Sequence, residues 1–437
     1  MGSENPLLHN FLFSASRPPS PCGTLPVVRY TTLTRSRGLS YLFLALSLLA
    51  ATALAQEPDS ARSIAQDVDY QRHRIGSPAG NVTVHMVLID LDAVRQGRLS
   101  VEPALGGERI GQTASPSGIA RRVGALAALN GPYFASTGGR TYPLGFTVLD
   151  GRITQLGNLR RPLVGLDPEG EFRAEVAHPQ AFVTSDVYFD PIWLWSVNSS
   201  SSANTVSLYD RRWADRVSPQ RGVAVAVEPY EVPTEENSGR EVIVVHSDTP
   251  DEEEWNWQVT ATSDSAALEI PADGFILLFR GKSMPEAVRY RVGAKVAVYA
   301  YDLPSGWESM RWITTLGPWF VHEGCVRDFS AETTYGSAVT GRASRSAIGT
   351  TWNDEIFFAV TQGAPVSIQE TARVLIECNV REAVMCDSGS SSGLWASGVG
   401  AFGHSTAVPL AFVVRELESP PEPPPPLKTW LGTLQRH

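Results

Sequence analysis

The chain has 437 residues, 43% hydrophobic and 19% charged, with 37 Gly and 31 Pro, which is enough apolar material for a sizeable core. This composition lacks the bias of coiled coils, collagen or wholly disordered chains. A net charge of -10 argues against a nucleic-acid partner, because phosphate backbones demand clustered Lys and Arg.

Residues 1–38 carry Arg17, Arg29, Arg35 and Arg37 against a single acid, Glu4, and an apolar run follows over 39–55, ending Ala53-Leu54-Ala55. A basic flank, an apolar stretch and a small-residue ending mark a secretory signal peptide. The expectation is therefore export, to the medium, the periplasm or the cell envelope. Residues 1–55 act as a cleaved leader or, left in place, as an N-terminal anchor, which is the one membrane contact foreseen. Residues 56–80 read as a linker and 81–418 as one large domain. An acidic insertion occupies 231–257, ending in Asp251-Glu252-Glu253-Glu254 before Trp255, and should decorate a hairpin. Residues 419–437 form a proline-rich tail that cannot pair into a sheet and is expected to be extended or disordered.

Between these flanks, runs rich in Val, Ile, Phe and Tyr predict strands over 82–91, 123–129, 223–227, 275–279, 295–301, 346–351, 356–361 and 410–414. Asp150-Gly151 and Asn353-Asp354 read as hairpin turns. Two helices are expected. Ser115-Pro116 supplies an N-cap and N1 proline for a short helix ending at Gly124. Ser367-Ile368-Gln369-Glu370 is a capping box, followed by apolar Ile368, Ala372, Leu375 and Ile376 at helical spacing. Strands outnumber helices and do not alternate with them, so the fold class is α+β: one large domain of mixed, mainly antiparallel sheet with few packed helices.

The eight histidines stand singly and the four cysteines have no metal-type spacing, so neither metal nor cofactor is foreseen. Cys22 belongs to the leader. Cys378 and Cys386 either bridge a helix end to the next strand or are small buried apolar residues.

Three glycine-punctuated segments lie at predicted strand ends. Asn130-Gly131-Pro132-Tyr133-Phe134 places an amide just beyond a buried strand, where it can aim a donor and an acceptor into a cleft, or serve simply as a turn. Arg342-Ala343-Ser344-Arg345 enters a strand, and arginine at a strand mouth suits a grip on phosphate or carboxylate, or a surface ion pair. Asp387-Ser388-Gly389-Ser390-Ser391-Ser392-Gly393 sets an acid at a strand end before a loop of small residues. Exposed amides and hydroxyls there can cradle an anion, and Asp387 can act as acid, base or nucleophile; a plain Ser/Gly linker is the alternative. The same loop satisfies G-x-S-x-G around Ser391, but no Asp follows, and in the order Ser, acid, His an acid at Glu416, Glu418 or Glu422 leaves only His437, in the tail, as base, so a serine hydrolase is rejected.

Taken in order, these segments resemble the phosphodiester glycosidase family, whose pattern runs Asn-Gly-Gly-Phe-Phe, Arg-Thr-Ala-Ile-Gly and Asp-Gly-Gly-Gly-Ser-Ser. Here those become Asn130–Phe134, Arg345–Gly349 and Asp387–Ser392. Pro143-Leu144-Gly145, Ile270-Pro271-Ala272-Asp273-Gly274-Phe275 and Gly317-Pro318 match further strand and turn markers, and the resemblance covers roughly 82–414. Ser388 and Ser390 stand where the pattern has glycine, and such a change restricts positive φ, so a reshaped loop is expected.

The resemblance implies an exported glycoside hydrolase that cleaves a sugar-1-phosphodiester or related envelope glycan linkage. Asp387 would be the carboxylate facing the anomeric carbon or its attacking water. Arg345 would neutralise the phosphate, and Asn130 would orient the sugar. Gly131, Tyr133, Gly389, Ser390, Ser391 and Ser392 would line the substrate. Most glycosidases pair two carboxylates, and the candidates for the second are Asp150, Asp302 and Glu323. The alternative is a non-catalytic module of the envelope, associated with exopolysaccharide, that binds anionic glycan.

Overall fold

The computed structural model describes residues 56–229 and 255–427, apart from positions 138, 188, 189, 220, 256, 334, 422 and 425. The expected leader and nearly all of the acidic insertion lie outside the described residues. Every predicted strand is present, and 295–301 and 346–351 carry the predicted bounds as Lys295–Tyr301 and Ser346–Thr351. The run predicted over 123–129 is the last residue of a helix, a turn and the strand Ala127–Asn130.

One eight-stranded sheet and one five-stranded sheet pack face to face. The larger runs Ser60–Ala65, Val68–Ser77, Gly80–Asp90, Glu355–Gly363, Ser346–Thr351, Val380–Met385, Trp319–His322 and Cys325–Val326. The smaller runs Gly400–Gly403, Gly393–Ala396, Ala127–Asn130, Leu410–Glu416 and Leu99–Leu105. Their shared core contains Val87, Ile89, Ile348, Phe358 and Val384 from one side and Leu129, Leu394 and Phe412 from the other. The alternate residues Val84, Met86 and Leu88 pack on the opposite face against Ile368, Ala372 and Leu375 of the helix Ile368–Glu377. Gly80–Asp90 is thus buried on both faces, which is why its sequence is a near-continuous apolar run. The helix Pro116–Val123 covers the outer face of the smaller sheet through Ile119 and Ala120.

A closed barrel with its own core is built from Gln180–Ser185, Ile192–Val197, Val206–Asp210, Phe275–Arg280, Gly222–Pro229, Trp257–Ser263 and Lys295–Tyr301. A further five-stranded sheet, Phe172–Ala177, Arg161–Leu166, Trp312–Thr315, Thr147–Leu149 and Arg152–Gln155, joins it to the sandwich. Pairing is antiparallel throughout except between Ile192–Val197 and Val206–Asp210. The architecture is the mixed, mainly antiparallel α+β domain foreseen from the sequence.

Local chemistry explains the boundaries. Asp150 and Gly151 both take positive φ, 52° and 67°, and close the hairpin between Thr147–Leu149 and Arg152–Gln155. Asp354, at φ 62°, does the same after Ser346–Thr351. Ser115 caps its helix by accepting from the Gly118 N–H, and Gly124 ends it in the left-handed conformation. The box at Ser367 is reciprocal: Glu370 N–H donates to the Ser367 hydroxyl and Ser367 N–H to the Glu370 carboxylate.

Two expectations are corrected, and for Cys378 and Cys386 one of the two readings holds. Residues 60–77 are not linker but two strands, because Val68–Ser77 pairs along the whole of Gly80–Asp90 and buries Val68, Tyr70 and Ile75. The start of the tail is extended, as foreseen, but not disordered: the Leu427 N–H donates to the Glu308 carbonyl at 2.8 Å and its side chain packs on the barrel core. Cys378 and Cys386 are both free and buried, so no bridge joins them.

The Glu370 carboxyl is held down to about 2 by the Ser367 backbone N–H first and the Arg342 guanidinium next. A depressed carboxylate stabilises the fold fully above its ordinary value of 4.5, and that stability is lost as pH falls toward 2. Thermal melting should show Glu370→Gln below wild type at pH 7, with the gap closing on acidification. Ser367→Ala, which removes the cap itself, should cost about 1 kcal/mol at neutral pH.

Candidate active site

Ser346–Thr351 and Val380–Met385 are antiparallel neighbours, with Ala347 opposite Met385. The start of one and the end of the other therefore lie at one edge, and Arg345 and Asp387 emerge there together. The smaller sheet reaches the same edge with Asn130 and Gly131. The Asp387 N–H donates to the Gly131 carbonyl at 3.0 Å, and the Asn130 side-chain N–H donates to the Asp387 carbonyl at 2.6 Å. The three sequence segments thus converge at the seam between the two sheets.

Asn130 is fully buried, and its side-chain oxygen accepts from the Gly393 N–H at 2.9 Å. Both functions of the amide are spent on backbone, so Asn130 holds the site together and has nothing left to orient a sugar. Gly131 is equally structural: a Cβ there would meet the Leu410 carbonyl oxygen at 2.7 Å.

Arg345 is also corrected. It is 1% exposed, and its guanidinium donates to the carbonyls of Val339, Gly341 and Val366. It cannot reach a substrate phosphate. It forms no ion pair among the described residues, so its charge remains an uncompensated positive source beneath the site, and burial pulls its pKa down.

The Asp387 carboxylate accepts from the Ser388 N–H at 2.9 Å and from the Ser391 hydroxyl. Burial nevertheless pushes its pKa above the ordinary value, with those two bonds opposing. The loop expected to cradle a substrate anion instead cradles the protein's own carboxylate. Its remaining groups turn inward: the Gly389 N–H and the Ser392 hydroxyl both donate to the Ser344 carbonyl, at 2.8 and 3.1 Å. Ser390 is the loop's exposed residue. Gly389 takes φ 73°, while Ser388, at φ -125°, and Ser390 lie outside the left-handed region. The serines occupy positions any residue adopts, so the expected reshaping does not follow.

Tyr133 follows Gly131 and Pro132 on the same segment. Its hydroxyl is buried with no hydrogen-bond partner among the described residues. Burial raises its pKa, the Asp387 charge adds to that rise, and Arg161 and Arg345 oppose it. Arg161 is the residue sequence reasoning missed. Its guanidinium lies 5.2 Å from the Tyr133 ring centre and 4.4 Å from that of Tyr335, and its Nε has no hydrogen-bond partner. Tyr335 donates in turn to buried Glu332 at 2.6 Å, and Arg327 donates to the same carboxylate at 2.7 Å. The strand-mouth argument applied to Arg345 fits Arg161 too, since Arg160-Arg161-Pro162 opens the strand Arg161–Leu166. Of the second-carboxylate candidates, Asp150 and Glu323 are turn residues paired with Arg212 and Arg381, and Asp302 also takes a positive φ, 59°.

This geometry can be set beside known proteins. Residues 256–415 match the phosphodiester glycosidase family. The match spans Arg345 and the whole Asp387 loop, while Asn130, Tyr133 and Arg161 precede it. A structure from Synechocystis, of a hypothetical protein, is similar with a TM-score of 0.65 at 20% identity, covering 82% of this chain and 64% of the other. This chain therefore spans under two thirds of that protein. A protein of Burkholderia pseudomallei K96243 thought to be exported gives 0.57 at 19% identity, covering 76% and 74%. Both likenesses concern the fold. The catalytic domain of zebrafish N-acetylglucosamine-1-phosphodiester alpha-N-acetylglucosaminidase, auto-inhibited by its pro-peptide, gives 0.41 at 12% identity, covering 84% and 87%. No curated protein sequence matches the chain.

If Asn130 is structural, Asn130→Ala leaves the Asp387 carbonyl and the Gly393 N–H unpaired in the interior. Each orphan costs about 1–3 kcal/mol, so urea unfolding should show a loss of about 3 kcal/mol. A change in KM alone, at full stability, would restore the sugar-orienting role.

Proposed function

We propose that this protein is an exported phosphodiester glycosidase, hydrolysing the bond between a sugar's anomeric carbon and the oxygen of a phosphodiester. The observation that carries the proposal is a half-buried carboxylate of raised pKa, Asp387, beside an unpartnered hydroxyl, Tyr133, and two guanidinium groups with no ion-pair partner among the described residues. Two uncompensated cations make the site attractive to an anionic substrate. Arg161 is the cation with a free nitrogen, and it takes the phosphate-binding role first expected of Arg345. Tyr133 would donate to a phosphate oxygen.

In the reaction, Asp387 either accepts a proton from the attacking water or attacks the anomeric carbon itself, in which case water then hydrolyses the glycosyl ester and frees the carboxylate. The C–O bond breaks with its electron pair going to the phosphate, which leaves as a stable anion and needs little help from a general acid. A structure with one evident carboxylate at the site suits such a leaving group. Export follows from the basic and apolar segment 1–55, and carbohydrate is the partner.

The test compares the purified protein with Asp387→Asn and Arg161→Ala on an alpha-linked sugar-1-phosphodiester and on the matching simple glycoside. Release should be confined to the phosphodiester. Asp387→Asn should lose at least about 100-fold in kcat, and Arg161→Ala should raise KM for the phosphodiester. Because the fold raises the Asp387 pKa, ionising it there costs stability once pH exceeds the unfolded value. Asp387→Asn should therefore melt no lower than wild type at pH 7. No release from either substrate sinks the catalytic reading and leaves an anionic-glycan-binding module.

A further inference from the structure

A cavity lies between the segment around Leu144 and the barrel. It encloses about 530 Å³, within the range of roughly 300–1,000 Å³ typical of small-molecule sites. Its wall includes Leu144, whose N–H donates to the Tyr133 carbonyl at 2.8 Å, so one backbone bond links the cavity wall to the segment that carries Tyr133. The other side is the barrel strand Ile192–Val197.

The lining has an unusual chemistry. Among the described residues it contains no Asp, Glu, Lys or Arg; its polar groups are the amides of Gln155, Asn158 and Gln180, the imidazole of His178, the tryptophan N–H groups and serine and tyrosine hydroxyls. Gln155 is 2% exposed, and its Oε1 has no hydrogen-bond partner. A buried amide oxygen left unpaired costs free energy unless a ligand supplies the donor. Trp193 and Trp195 flank Leu194, where the pairing register of the strand shifts, and both line the cavity. Trp193 is braced edge-on by Phe182 and Tyr301, whereas Trp195 is 56% exposed, one of the few large apolar side chains left in solvent.

Neutral donors and acceptors beside flat aromatic faces are complementary to sugars, which present hydroxyls at their edges and C–H groups on their faces. We propose that this cleft binds a neutral saccharide, as the glycan chain attached to the unit cleaved at Asp387. Trp195 is the stacking platform and Gln155 the buried hydrogen-bond acceptor. The link to cleavage rests on the glycosidase reading, while the binding itself does not.

The experiment is calorimetric titration of the full-length protein with neutral hexasaccharides of gluco-, chito-, malto-, manno- and galacto- type, using wild type, Asp387→Asn, Trp195→Ala and Gln155→Leu. At least one hexasaccharide should bind saturably, with equal affinity for wild type and Asp387→Asn. Trp195→Ala, an exposed position whose change leaves the core untouched, should weaken that binding tenfold or more, and Gln155→Leu should weaken it as well. Failure of all five to bind, or unchanged affinity in Trp195→Ala, overturns the proposal. Saccharide binding without release from a small sugar-1-phosphodiester supports this site and counts against the glycosidase reading. Release without saccharide binding does the reverse.

Discussion

The amide of Asn130 is the fastening on which the site depends. It lies at the end of a strand in the smaller sheet, and it grips backbone on both sides of the Asp387 loop, at the Asp387 carbonyl and the Gly393 N–H. Two sheets that pack through apolar side chains can slide relative to one another at little cost, since that attraction is non-directional. A buried side chain that must satisfy a donor and an acceptor at fixed positions removes that freedom. The Gly131 carbonyl adds a third bond, to the Asp387 N–H. Asp387 thus inherits its position from both sheets at once.

The second constraint is electrostatic. Arg345 lies in the interior with three carbonyl oxygens and no described carboxylate. Carbonyl dipoles offset part of the cost of a buried charge without cancelling the charge itself. A neighbouring carboxylate would have stabilised the fold further and silenced the field. Tyr133 lies between this cation, Arg161 and Asp387, so its hydroxyl is where opposing fields meet. A site arranged in this way exchanges some stability for readiness toward an anion.

Much of this was legible in the sequence, and the exceptions have physical causes. Runs such as that of Phe275–Arg280 announce themselves because strands buried on both faces are apolar throughout. Val68–Ser77 was read as linker because its polar residues, Asp69, Gln71, Arg72 and Arg74, mask a buried set whose phase shifts between Tyr70 and His73. Only pairing with Gly80–Asp90 makes it a strand. The three segments converge in the structure, and each is visible in the sequence because glycine and an acid at strand ends are local signals. Their roles were harder to read. Sequence shows an arginine at a strand mouth but not whether it turns outward, and Arg345 turns in. Arg161, Tyr335 and Glu332 are far from Asp387 in the chain, and topology alone brings the first two beside Tyr133.

Pro229 and Trp257 are direct partners across a hairpin of the barrel, so the acidic segment leaves and rejoins the fold at one point. The entropy of closing a loop grows slowly with length, by about 0.6 kcal/mol per doubling. The barrel is accordingly almost indifferent to how much chain is spliced ahead of Trp255, which is itself buried against Phe182, Ala297 and Tyr299. This junction is a natural port for grafting: a foreign peptide or a whole domain with neighbouring termini could be carried there, between strands that supply none of the residues of the Asp387 seam.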